Sequence, residues 1–305
     1  MSTLSNTIQN HKEDSKLAGK DFDREQWKQQ KHQELEETFQ QLNKSTFNLV
    51  QDPERYKSYL DLQANLPTLS VSNALLILEQ KDTPITQLAS FNDWKDQGRT
   101  VRRGELGYKI LSPATYTRDD GSEGTSFRVS RVFDICQTQG PEVKTQLTQP
   151  VDLTTLIKAM VENSPVEMTI NDQVSEHLNA QFDPESKKIL VRSDIQDNIA
   201  VEALAREMAQ ATLSSLHQSD DREEHLFASI STAYLIGKHF GHEPANFDPG
   251  LIQDFMWSDN PTVIRSTLND ARQAFNMIRQ RIDRVLETPG QEAQKPAKKH
   301  QEQER

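Results

Sequence analysis

Residues 199–213, IAVEALAREMAQATL, are the stretch on which the fold turns. Leu204, Met208 and Ala211 recur at spacings of four and three, the period of one helical face. The stretch is therefore expected to form the middle of a helix over about residues 198–216, with those three side chains toward a core. On the other side Glu202 precedes Arg206 by four positions, the orientation that favours an exposed ion pair along a helix.

Working outward, the patterning predicts a second helix at about 222–240 and a long final one near 262–287. In the final helix Ile264, Leu268, Ala271, Phe275, Ile278, Ile282 and Val285 alternate spacings of four and three, a heptad stripe of about three repeats. So short a stripe is expected to pack on its own domain rather than on a second chain. Before residue 199 come a helix around Leu153 to Asn163 and short strands at Val166 to Asn171, Ala180 to Phe182 and Lys188 to Arg192. The turn FDPESKK makes a hairpin of the last two.

The N-terminal half has a different texture. Residues 1–45 form a charged extension, partly disordered, leading into a helix marked by Trp27, Leu35, Phe39 and Leu42. Two short helices are expected to meet at Pro67. From Phe91 onward glycines punctuate β-prone runs at Tyr108 to Leu111 and Phe127 to Ile135, with DDGSEG as the hairpin loop between them. The polar stretch GPEVKTQLTQPV, with two prolines, suits a linker. The expected organisation is an α+β chain of two domains: 1–45 extension, 46–140 first domain, 141–151 linker, 152–287 second domain and 288–305 disordered polar tail.

No window approaches the roughly 20 apolar residues of a membrane-spanning helix, and MSTLSNTIQNHKEDSK lacks the apolar core of a secretory signal. With a single cysteine, Cys136, expected to be structural, the chain suits a reducing cytoplasm and no membrane. A net charge of -11 argues against attraction of DNA to the whole surface, so a nucleic-acid site must be local. Between Trp94 and Arg131 eight cations face five acids, a local balance of +3.

Two sets of segments, taken together and in this order, resemble the ArdC antirestriction family of conjugative plasmids and mobile elements. The first set is SVSNALLI (70–77), FNDWKDQGRTVRRGELGYKILSP (91–113) and VFDICQTQG (132–140). It is similar to that family's N-terminal single-stranded-DNA-binding domain. The second set is QFDPESKKILV (181–191), IAVEALAREMAQATL and TAYLIGKHFG (232–241), which resembles the family's zincin-like metallopeptidase domain. The likeness spans roughly residues 50–287.

The resemblance implies a metal-binding helix, and there this chain departs from it. In H-E-x-x-H the histidines at i and i+4 coordinate one zinc from one helical face, and the glutamate serves as general base. The matching residues here are Arg206, Glu207, Met208, Ala209 and Gln210. The third ligand, a carboxylate on the following helix, falls near Ala228 or Ile230, both apolar. A guanidinium has no lone pair for a metal and repels a dication. Without zinc to acidify water, Glu207 is a vestigial base. The expectation is a catalytically inactive pseudo-metallopeptidase with no metal and no cofactor. His217, His225, His239 and His242 are expected to be surface histidines. If Arg206 projects into the old cleft, it offers a site for an anion such as phosphate.

Nonspecific single-strand binders combine backbone-tracking cations with aromatic faces for base stacking. Arg99, Arg102, Arg103, Lys109 and Arg128 supply the charge, and Tyr108, Tyr116 and Phe127 the faces, with Trp94 assigned to the core. Arg102 and Arg103, in the turn RRGELG, lead this set. The expected function is a single-stranded-DNA-binding accessory protein of a plasmid or mobile element, with possible protein partners in conjugation or restriction. Its rivals are an active zinc metallopeptidase with unconventional ligands and a protein-interaction subunit of the transfer machinery.

Overall fold

The structure, a computed structural model, describes residues 24–80, 84–118, 120–143, 150–244, 247–256 and 258–286. Much of the extension expected at 1–45, part of the expected linker and the tail from 288 lie outside them.

Three helices come first: α1 (Arg24–Gln51), α2 (Pro53–Asn65) and α3 (Val71–Gln80). The break between α1 and α2 is built by Asp52, whose carboxylate accepts from the N–H groups of Glu54 and Arg55, with Pro53 at the first helical position. A small antiparallel sheet follows, in the order β1-β4-β3, from β1 (Leu88–Ser90), β3 (Tyr108–Thr117) and β4 (Glu123–Asp134). The short helix α4 (Phe91–Asp96) carries a Ser90–Asp93 capping box. It buries Trp94, whose indole N–H donates to the carbonyl of Phe133 at 2.9 Å, as expected of a core residue. The two-residue strands β2 (Thr100–Val101) and β5 (Thr138–Gln139) pair beside it.

β3 and β4 stay paired over ten positions, while β1 covers only the last three residues of β4. Beyond that cover the pair is a two-stranded ribbon projecting from the body, and most of its side chains from Thr115 to Arg128 are exposed. The free edge of β3 is closed at its base by a helix. Asn73 exchanges two hydrogen bonds with the backbone of Leu111, and Gln80, two turns further along α3, does the same with Lys109.

The second half contains α5 (Leu153–Glu162), a three-stranded sheet, and helices α6 (Asp197–His217), α7 (Arg222–His239), α8 (Leu251–Phe255) and α9 (Pro261–Leu286). The sheet order is β6-β8-β7, with β6 (Glu167–Ile170) parallel to β8 (Lys188–Val191) and β7 (Ala180–Asp183) antiparallel to it. Arranged this way, helices and strands make an α+β fold.

The apolar stripe of α9 is buried within the chain. It packs mainly against α7 and also touches α1, α3, α5 and α6. Helices α2 and α3, assigned from sequence to the first domain, share one buried cluster with α6, α7 and α9. Polar contacts cross the same boundary: Tyr56 and Ser231 join hydroxyls at 2.5 Å, and Arg272 donates to the carbonyl of Leu69 at 2.7 Å. The division expected at residue 45 falls inside α1.

Candidate functional site

The helix α6 runs through the middle of the second half with most of its residues buried, which brings Glu207 to a position with 0% exposure. An ionised carboxylate so placed needs partners. Arg206, Arg222 and Phe182 supply them. Arg206 Nε reaches Oε1 at 2.8 Å, and Arg222, at the start of α7, reaches Oε2 and Oε1 at 2.7 and 2.8 Å. The backbone N–H of Phe182 in β7 donates to Oε2 at 2.8 Å. Each oxygen accepts two bonds, which fills the roughly four acceptor positions of a carboxylate. Burial, the largest single influence, pushes the carboxyl upward, but Arg222, Arg206 and the Phe182 N–H together hold it below the ordinary glutamate value.

The flanking positions belong to the same arrangement. Arg206, whose side chain is 16% exposed, also donates through Nη2 to the carbonyl of Leu178 at 2.6 Å, so it is tied into the cleft rather than displayed on the helix surface. Gln210 is buried and uses its amide on the carbonyl of Arg222 at 3.2 Å and the hydroxyl of Ser229 at 3.0 Å. Of the two positions named for a third ligand, Ala228 is buried, whereas Ile230 lines a cleft of about 470 Å³ with Arg206, Arg222, Leu226 and Ala233.

Three of the four histidines differ from the surface residues expected of them, whereas His217 stays exposed. His225 is buried, places Nε2 3.0 Å from the carbonyl of Ser219 and stacks on His217. His217 lies 3.4 Å from Asp270. His239 Nδ1 lies 2.9 Å from the carbonyl of Ala64, and burial pushes its pKa below the ordinary value. His242 Nε2 lies 2.7 Å from the carbonyl of Val151. Packing between the two halves, invisible in a linear pattern, draws in His239, whose partner Ala64 lies in the first half. Among the described residues no three His, Cys, Asp or Glu gather as a metal cage.

The eight residues expected to meet DNA do not form one cluster, and Phe127 packs edge-on against Phe39 of α1. Arg99 corrects the sequence reading: it is 9% exposed, its Nε donates to Thr138 Oγ1 at 2.7 Å, and its other nitrogens reach the carbonyls of Thr138, Gly140 and Pro141. Its guanidinium also lies over Trp94, so Arg99 is a brace of the β2–β5 corner. Arg102 is half-exposed but paired with Glu105 and bonded to the carbonyl of Cys136. Arg103 is exposed on the same turn. Lys109 faces α1, 3.6 Å from Glu34.

Register unites the others on the opposite face of the ribbon. Arg128 stands across from Ser112, which is four residues from both Tyr108 and Tyr116, so Arg128 lies midway between two tyrosines. Tyr108 is half-buried, while Tyr116 is exposed, carries Arg118 over its ring and rests on Gly124, where a Cβ would come within 2.6 Å of that ring. Among the described residues no carboxylate pairs with Arg103, Arg118 or Arg128. The row was readable only in part from sequence: Tyr116 was named there, but Arg118 joins it only because the hairpin is longer than the β-prone runs suggested.

No protein-family model matches the sequence, and no curated protein does. Among solved structures, the metal-free crystal structure of the antirestriction protein ArdC from plasmid R388 superposes with a TM-score of 0.50. That match covers 70% of this chain and 85% of the ArdC chain at 16% identity. The fold is that of ArdC. The Mn(II)-bound form of the same protein gives a TM-score of 0.49 at 15% identity, over 69% of this chain and 84% of that one.

At these identities the likeness is one of fold, so the chemistry must be read from this chain's own residues. The zinc that the sequence resemblance implies does not fit the donors present. Within the ArdC-like fold, positions 206, 210 and 230 hold a guanidinium, an amide already engaged and an aliphatic side chain. None is an imidazole or a carboxylate. The residue that sequence reasoning missed is Arg222, fifteen positions from Glu207 and brought to it only by the packing of α6 on α7.

Proposed function

We propose that the chain is a single-stranded-DNA-binding accessory protein of a plasmid or mobile element, acting in antirestriction or conjugative transfer, whose peptidase-like half does not hydrolyse peptides. The observation that carries this reading is the Tyr108–Arg128–Tyr116 row on the projecting ribbon, with Arg118, together with the exposed loop cation Arg103. Alternating cations and ring faces on an open surface suit a single strand, whose phosphates take the cations and whose unpaired bases stack. The ArdC-like fold supports the antirestriction context. The saturated carboxylate of Glu207 supports the second clause, because a general base needs a lone pair free for water.

The test is retention of a labelled single-stranded oligonucleotide by the full chain across a salt series. R103A/R128A is expected to weaken binding to every sequence alike and to flatten the salt dependence by about 1.4 in log–log slope, roughly 0.7 for each phosphate no longer neutralised. Failure to bind at low salt, or a double variant that binds unchanged, overturns the reading. Hydrolysis of unstructured peptides above background, abolished by E207A, overturns its second clause.

A further inference from the structure

We propose that Arg222 bars metal from the cleft beside Glu207, its guanidinium standing there as a built-in cation, so that restoring the ligand positions without removing Arg222 does not restore a metal site. This rests on reading the cleft as non-hydrolytic and is independent of the DNA reading.

The geometry confines Arg222 to the critical space. Its backbone carbonyl accepts from Gln210, and its side chain returns to both oxygens of Glu207. One residue therefore spans the second ligand position and the base. Side chains at i and i+4 on α6 face the same way, so a metal held by donors at 206 and 210 would lie between them, on the side facing α7. The same side is lined by Arg222, Leu226 and Ile230.

A dication there would lie close to a guanidinium already fixed in a two-pronged contact and only partly exposed, where like charges are screened less than in open solvent. Arg222 cannot shed its charge at ordinary pH. Nor can it swing away without leaving Glu207 buried with fewer donors. Arg206 adds to the exclusion, but a histidine at that position removes its charge, whereas Arg222 remains.

The experiment compares zinc binding by equilibrium dialysis and by thermal melting, with zinc or with chelator, in full-length chains. The wild type and R206H/Q210H/I230E are expected to bind no zinc and to melt at the same temperature in both conditions. Adding R222Q to that triple variant is expected to admit about one zinc per chain, the stoichiometry of a site with three protein ligands and an open fourth position, and to raise the melting temperature with zinc. Where the lone carboxylate prevents that variant from folding, E207Q is added, since Glu207 serves as base rather than ligand. Zinc bound by R206H/Q210H/I230E with Arg222 in place overturns the assignment alone. So does a folded R222Q variant of that triple that binds none. Stoichiometric zinc in the wild type overturns the non-hydrolytic reading together with the assignment.

Discussion

Arg222 holds both carboxylate oxygens of Glu207, at 2.7 and 2.8 Å, and so fastens the first turn of α7 to the centre of α6. Because Phe182 of β7 donates to the same carboxylate, sheet and two helices meet at one side chain. Glu207→Ala leaves Arg206, Arg222 and a backbone N–H without their acceptor in a buried place. Removing one partner of such a group costs about 3–5 kcal/mol. Denaturant unfolding is expected to show a loss of that size, with Glu207→Gln losing less, since the amide keeps an acceptor oxygen.

Stability should fall toward acid through the same group. Glu207 has its pKa lowered in the folded chain, by Arg222 and Arg206 against the upward push of burial. The folded state therefore binds the proton less readily than the unfolded one. Its contribution is present in full above the unfolded glutamate value and is lost as pH falls through the folded value. Urea midpoints measured from neutral pH down to about pH 3 are expected to drop more steeply for the wild type than for Glu207→Gln.

Arg99→Ala and Arg103→Ala should separate stability from DNA binding. The first removes a guanidinium that braces the β2–β5 corner and is expected to lower the melting temperature while leaving the salt slope of oligonucleotide binding unchanged. The second is expected to do the reverse, changing the slope by about 0.7 with no loss of stability.

The amides of Asn73 and Gln80 each satisfy both a donor and an acceptor of β3. Substituting either by alanine strands half-buried backbone groups, a cost of about 1–3 kcal/mol for each left unsatisfied. Hydrogen exchange is expected to accelerate at the Leu111 amide in Asn73→Ala and at the Lys109 amide in Gln80→Ala, with little change along α9.

What was legible in the sequence was whatever a period or a turn encodes locally. The helices predicted at 198–216 and 222–240 lie within a residue or so of α6 and α7, because long apolar periodicity decides them. Strand length was less legible: Pro113 argues against a strand, yet β3 continues to Thr117 because β4 pairs with it residue for residue. The five-residue α8 carries no periodic signal at all. At the site, the loss of histidines at 206 and 210 was plain, whereas the role of Arg222 and the burial of Arg99 depend on which segments pack together. In RTVRR nothing distinguishes the arginine that turns inward from the two that stay out.

The buried cluster that joins α2 and α3 to α7 and α9 has a bearing on how such a chain can be cut or exchanged. Tyr56, Leu60 and Leu75 share one buried cluster with helices encoded well over a hundred residues downstream. A fragment ending at the linker would carry those side chains into water, and a fragment beginning there would bare the facing surface of α7. Recombination at that seam would therefore transmit two sticky halves rather than two working modules, and the pair is expected to be inherited, expressed and unfolded as one piece.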